Sequence, residues 1–285
     1  MQGKNAGNPD GLPSILTRQR PKLTFENRGS DSFCHPEDGN IMRIKGNLAF
    51  DGTAYHGWQI QNNGVTVQQK VQEALSKITG EDISVVGCSR TDAGVHAINY
   101  CISFDSNTSV PLSNLPLAVN TFLPPDIRFY SFENAPDDFN ARYSAKSKTY
   151  VYKTVYNRVL SPFLNNHAYH FPHKINVDNI KKAAQYFLGT HDFSAFMATG
   201  GSQKTTVRTV NSLEVYEADG ILYFEINANA YLYNMVRIIS GTLLYVGCGK
   251  IDANDIPHII ESLDRTKAGI TAPPEGLYLK EIFYE

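Results

Sequence analysis

The chain has 285 residues, 42% of them hydrophobic, with 26 Lys and Arg against 28 Asp and Glu for a net charge of −2. That is apolar material for one large domain or two modest ones, and no apolar run approaches the ~20 residues of a membrane-spanning helix. The near-neutral balance excludes the strongly basic class of nucleic-acid binders, so the distribution of charge matters more than its sum.

Residues 1–41 are polar, with Gly, Asn, Pro and Ser scattered and no sustained periodicity. They are expected to be a disordered or dispensable extension. They also lack the apolar core of a signal peptide, and Cys34, Cys88, Cys101 and Cys248 show no C-x-x-C spacing. A reducing cytoplasm is the expected compartment, with neither a zinc motif nor a redox pair.

Ile44, Gly46, Leu48 and Phe50 alternate and predict a first strand ending at Asp51-Gly52. Thr66 and Gln69 have capping-box spacing ahead of a helix from about Val67 to Ile78, and Gly80 ends it. Its apolar stripe is Val67, Val71, Ala74, Leu75 and Ile78. Strand patterns follow on both sides of a charged turn: Ile83, Val85 and Val86 before it, and Ile98, Tyr100, Ile102 and Phe104 after it. Ser113 is placed to cap a second helix to about Phe122, which Pro124-Pro125 stop. Ile127 to Phe132 then closes a β-α-β-β-α-β order, the ferredoxin-like split unit, over residues 42–137.

Residues 138–285 repeat the theme loosely. Tyr150 to Tyr156 reads as a strand, and Val177 to Leu188 as a helix stopped by Gly189. Leu213 to Tyr216 and Leu222 to Ile226 form a hairpin across Ala218-Asp219-Gly220. Helices are expected from Tyr233 to about Tyr245 and from about Asn254 to Leu263, with a last strand from Leu277 to Phe283. Pattern alone supports two α+β units.

The turn from Gly87 to Ala97 sets one carboxylate, Asp92, between Arg90 and small residues. On spacing alone Asp92 is either a turn cap or a functional group on a rigid base. Arg90 sits on the same side of an extended segment, as a structural ion pair or as a cation holding Asp92 ionised. Tyr150 and Tyr152 share one strand face, where packing is the ordinary duty of tyrosine. Arg237, alone on a mostly apolar helix, needs an acidic partner or an anion. His96, His191 and Trp58 read as structural, and the eight histidines show no ligand-like pair.

Basic residues cluster where acids are missing. Phe139 to Val177 contains no Asp or Glu and carries Arg142, Lys146, Lys148, Lys153, Arg158 and Lys174. Phe193 to Leu213 is also free of acids and carries Lys204 and Arg208. Two such stretches in a mildly acidic chain favour a phosphate-contacting surface over ordinary solvated faces.

The string Arg90-Thr91-Asp92-Ala93-Gly94-Val95-His96-Ala97 resembles the active-site motif of the tRNA pseudouridine synthase A (TruA) family. Six further strings fit the family's order. They begin at Asp51, Asp138, Lys148, His191, Asn234 and Glu275, and the resemblance runs from about Met42 onward. It implies two ferredoxin-like α+β domains, with antiparallel sheets flanking a central catalytic cleft. It implies Asp92 as the catalytic carboxylate, Arg237 in a salt bridge to it, and Tyr150 stacking on an extruded uracil and relaying a proton. Arg90 would enter the RNA helix beside the removed base, Leu277 would pack near the uracil, and the basic stretches would hold RNA backbone. The implied reaction converts uridine to pseudouridine at positions 38 to 40 of the tRNA anticodon stem-loop, in a homodimer, with no cofactor and no metal.

Overall fold

In the computed structural model, residues 41–201 and 204–285 are described. Nearly all of the expected extension, together with Cys34, lies outside them. Strand β1 (Met42–Phe50) turns Ile44, Gly46, Leu48 and Phe50 inward as its alternation requires. Helix α1 (Val67–Thr79) begins where Thr66 accepts from the Gln69 amide and ends at Gly80 in the left-handed conformation. Its buried Val67, Val71, Ala74 and Leu75 join the apolar cluster that β1 opens.

Strand β2 is only Val86–Gly87, shorter than the expected run. Ile83 and Val85 are buried, but Gln72 Oε1 accepts from the Val85 amide and Gln68 Nε2 donates to the Val85 carbonyl. Side-chain amides thus take the place of a ladder partner. Strand β3 (His96–Ser106) pairs antiparallel with β1 and β2. Helix α2 (Leu115–Asn120) starts after Asn114 with no side-chain cap, so Ser113 does not have the capping role expected of it. Strand β4 (Ile127–Asn134) closes this half on the free side of β1.

Strands β5 (Ser147–Val155) and β6 (Tyr169–His170) open the second half. Helix α3 (Val177–Gln185) ends three residues earlier than expected. Gly189, expected as its stop, instead begins strand β7 (Gly189–Asp192) with φ 94°. Strands β8 (Val207–Ala218) and β9 (Ile221–Ala228) form the expected hairpin. Asp219 and Gly220, at φ 52° and 75°, supply the two left-handed residues of its tight turn. Helix α4 (Met235–Gly247) starts later than expected, because Asn234 sits at φ 60° and cannot continue a helix backwards. Helix α5 (Ile256–Ser262) and strand β10 (Leu277–Phe283) complete the chain described.

The strands form one α+β sheet in the order β4-β1-β3-β10-β5-β9-β8-β7, with β2 against β3 and β6 against β5. Its centre is a parallel contact in which Tyr278 faces His96 and Leu279 faces Ala97. On its other side β10 runs antiparallel to β5, with Leu277 opposite Tyr152 and Leu279 opposite Tyr150. This seam brings the turn before β3, the middle of β5 and the start of β10 to one place.

Candidate active site

A cavity of about 630 Å³ opens over the seam, lined by Arg90, Asp92, Tyr150, Arg237 and Leu277 among others. Asp92 lies in the turn that feeds β3, and that turn is clamped from behind. The Trp58 amide donates to the Thr91 carbonyl at 3.2 Å, and the Gly94 amide to the Tyr55 carbonyl at 3.3 Å. A β-carbon on Gly52 would stand 2.0 Å from the Val95 carbonyl oxygen, so the contact needs glycine. The carboxylate therefore rides on backbone that has little room to shift.

Arg237, in the first turn of α4, donates from Nη1 to Asp92 Oδ2 at 3.1 Å. The same nitrogen reaches Asn234 Oδ1 at 2.9 Å, and Nε donates to the Ala272 carbonyl at 2.7 Å. Asp92 is 31% exposed and Arg237 14%, so the carboxylate faces the cavity while its partner backs it. Arg90 also lines the cavity, but its side chain is exposed and makes no ion pair with Asp92 among the described residues. The cation beside the carboxylate is Arg237.

Tyr150 is 6% exposed. Its hydroxyl lies 2.9 Å from Ser89 Oγ, and its ring meets Tyr231 edge-on at 5.0 Å between centroids. Burial pushes the phenol well above its ordinary value; the Ser89 hydrogen bond opposes this. The group is therefore protonated near neutral pH. Leu277 is buried at the start of β10, against the same cavity. Tyr152 shares Tyr150's strand face but donates to the Pro273 carbonyl at 2.7 Å and does not line the cavity.

The basic residues divide. Arg142 and Lys148 line the cavity. Lys146, Arg158 and Lys204 are exposed outside it. Lys153 falls on the opposite face of β5, odd against even, and sets its ammonium 3.8 Å from the centre of the Tyr278 ring. Arg208 is buried and donates to the Val207 carbonyl at 2.6 Å and to Thr205 Oγ1 at 3.2 Å, a local structural duty. Neither Lys153 nor Arg208 is among the cavity's lining residues.

Ser89, Tyr231 and Asn234 are contributors that pattern did not single out. Their one signal is position, Ser89 beside the Asp92 motif and the other two just before Arg237. A second cluster also escaped. His96 Nδ1 lies 3.0 Å from Asp51 Oδ1 and His167 Nε2 3.6 Å from Asp51 Oδ2. The two histidines thus converge, against the expectation that no such pair exists. Thr53 already donates to Asp51 Oδ1 through its amide and its hydroxyl, and the Gly52 amide points at His96 Nδ1 at 3.1 Å. These bonds engage Asp51 Oδ1 and His96 Nδ1 as acceptors, while Asp51 Oδ2 faces His167 Nε2. Trp58 stacks on Tyr100, and His191 bonds the Leu188 carbonyl, both structural duties.

A family model described as tRNA pseudouridine synthase matches residues 48–144 and 183–285. The tRNA pseudouridine synthase A of Thermoanaerobacter sp. (strain X514) is 50% identical over 245 residues, covering 86% of this chain and 99% of that protein. The protein of the same name from Ruminiclostridium cellulolyticum is 49% identical, covering 86% of this chain and 100% of its own length. With five of the seven motif strings contributing to the wall of one cavity, and matches that span nearly the whole of these relatives, the chain belongs to the tRNA pseudouridine synthase family.

Proposed function

We propose that this chain isomerises uridine to pseudouridine at positions 38 to 40 of the tRNA anticodon stem-loop, with Asp92 as the carboxylate that meets the sugar. The reaction breaks the bond from uracil N1 to ribose C1′, turns the base and rejoins it through C5, with no net change in atoms. It needs a base taken out of its stack into a pocket and an anion facing the carbon that becomes electron-poor. The observation that carries this reading is Asp92 held by Arg237 at 3.1 Å on the wall of a cavity that Tyr150 also lines. Tyr150 offers the uracil a ring to stack on and a protonated hydroxyl to relay the C5 proton. Leu277 supplies apolar contact, and Arg90 reaches from the rim towards the gap the base leaves.

RNA backbone is assigned to exposed Lys146, Arg158 and Lys204 and to rim residue Arg142. The reading also includes a cytoplasmic homodimer holding tRNA across both copies. Release of tritium from C5-labelled uracil in unmodified tRNA tests the chemistry. Asp92→Ala is expected to abolish release while changing tRNA affinity little, and residual release at the wild-type rate would overturn the role of Asp92. Mapping the product's pseudouridines tests the positions, and sedimentation of the protein with and without tRNA tests the dimer.

A further inference from the structure

Among the described residues, Lys148 is the one lysine of the cavity lining. Its side chain is half-buried and makes no hydrogen bond or ion pair among the described residues, while its backbone is paired within β5. A cation placed this way awaits an anion or a strong acceptor from outside the protein. We propose that Lys148 is a catalytic residue whose ammonium donates to a carbonyl oxygen of the uracil, O2 or O4, as the ring leaves the ribose as an anion. This deepens the isomerase reading and rests on it.

The electron count requires such a partner. When N1–C1′ breaks, the bonding pair stays on the ring, and the uracil monoanion spreads its charge over N1, O2, C5 and O4. Asp92 answers the other half of the charge separation, whether it adds to C1′ or removes the C2′ proton. The anion then attacks C1′ through C5 as Asp92 departs from C1′, or hands the proton back to C2′; the C5 proton leaves and N1 is protonated. Between those steps the protein must hold a detached anion without letting it escape.

Position favours the base over a phosphate as the partner. Lys148 and Tyr150 are alternate residues on one face of β5, about 7 Å apart along the strand. Asp92, Tyr150 and Lys148 all line the same cavity. A ring stacked at Tyr150 with its sugar over Asp92 is thus within a side chain's length of Lys148, two residues along the same strand face. Depth sorts the cations in the same sense. Arg90, Arg142 and Lys146 are exposed, where backbone phosphates pass, and Lys148 sits deeper. Burial lowers its pKa, with the Cys88 thiol opposing and Arg142 reinforcing.

The test compares the full chain with Lys148→Met and Lys148→Arg, using unmodified tRNA. Single-turnover rates at saturation, tRNA affinity at several salt concentrations and the pH profile are measured. Lys148→Met is expected to lower the single-turnover rate ~10²-fold or more, with tRNA affinity within about threefold of wild type. Lys148→Arg is expected to restore part of the rate and to move the alkaline limb of the profile to higher pH. A normal rate at saturation, with weaker affinity and a shallower salt slope, would identify a phosphate contact and overturn the proposal. Unchanged rate and affinity would overturn it as well. Failure of the wild-type protein itself to release tritium would instead sink the isomerase reading, so the two failures are distinct.

Discussion

Arg237 uses fixed partners on two sides, the Ala272 carbonyl behind it and Asn234 beside it, before it reaches Asp92. Its guanidinium is thereby aimed, and a single ammonium on a flexible stem cannot reproduce that fork. Arg237→Lys is expected to lower the single-turnover rate by ~10²-fold with a smaller effect on tRNA affinity, read by tritium release and filter binding. Equal losses in both would mean that Arg237 serves binding instead. At this scale the sequence was most legible where a residue stood in a motif string. Asp92, Tyr150, Arg237 and Leu277 could be named without coordinates and meet at one cavity. Ser89 and Tyr231 could not, because their value lies in touching Tyr150 across long stretches of chain.

Among the elements, α1 was readable because its cap, apolar stripe and glycine stop are all local. The length of β2 was not, because Gln68 and Gln72 satisfy the backbone of Val85, just before it, from another element. The start of α4 was misplaced because left-handed Asn234 leaves no periodic trace in the sequence. The segment from Asp51 to Trp58 is an element of a different kind, an irregular brace that holds the Asp92 turn through its main chain. Gly52→Ala drives a methyl group into the Val95 carbonyl, with no flexible side chain to yield. It is expected to destabilise the fold by about 3 kcal/mol, measured by urea unfolding. A loss below about 0.5 kcal/mol would show that the brace gives way freely.

Across the whole molecule, the cluster behind the turn links protonation to stability. Burial lowers the pKa of His96, which faces Asp51, His167 and the backbone near Asn166 and Glu275, while Asp51 pulls it the other way. For Asp51, burial opposes ionisation, but Thr53 and both histidines outweigh it and the value falls below the usual carboxylate range. Both groups therefore bind protons more readily in the unfolded chain, and stability rises with pH through their windows. The His96 contribution is complete above ~6.5 and is lost as pH falls through its lower folded value; that of Asp51 persists until pH drops below ~4. Urea unfolding from pH 8 to pH 4 is expected to show this decline, and His96→Asn to remove the part that begins near 6.5. An unchanged slope in the variant would acquit His96.

The place of β10 in the sheet makes it a keystone. It comes after every other strand described, yet it lies between β3 and β5. Without it the sheet would part into β4-β1-β3 and β5-β9-β8-β7, each with an unpaired inner edge. Tyr150 would lose its neighbour on the β10 side and the pocket would lose Leu277, so one strand couples the integrity of the sheet to that of the site.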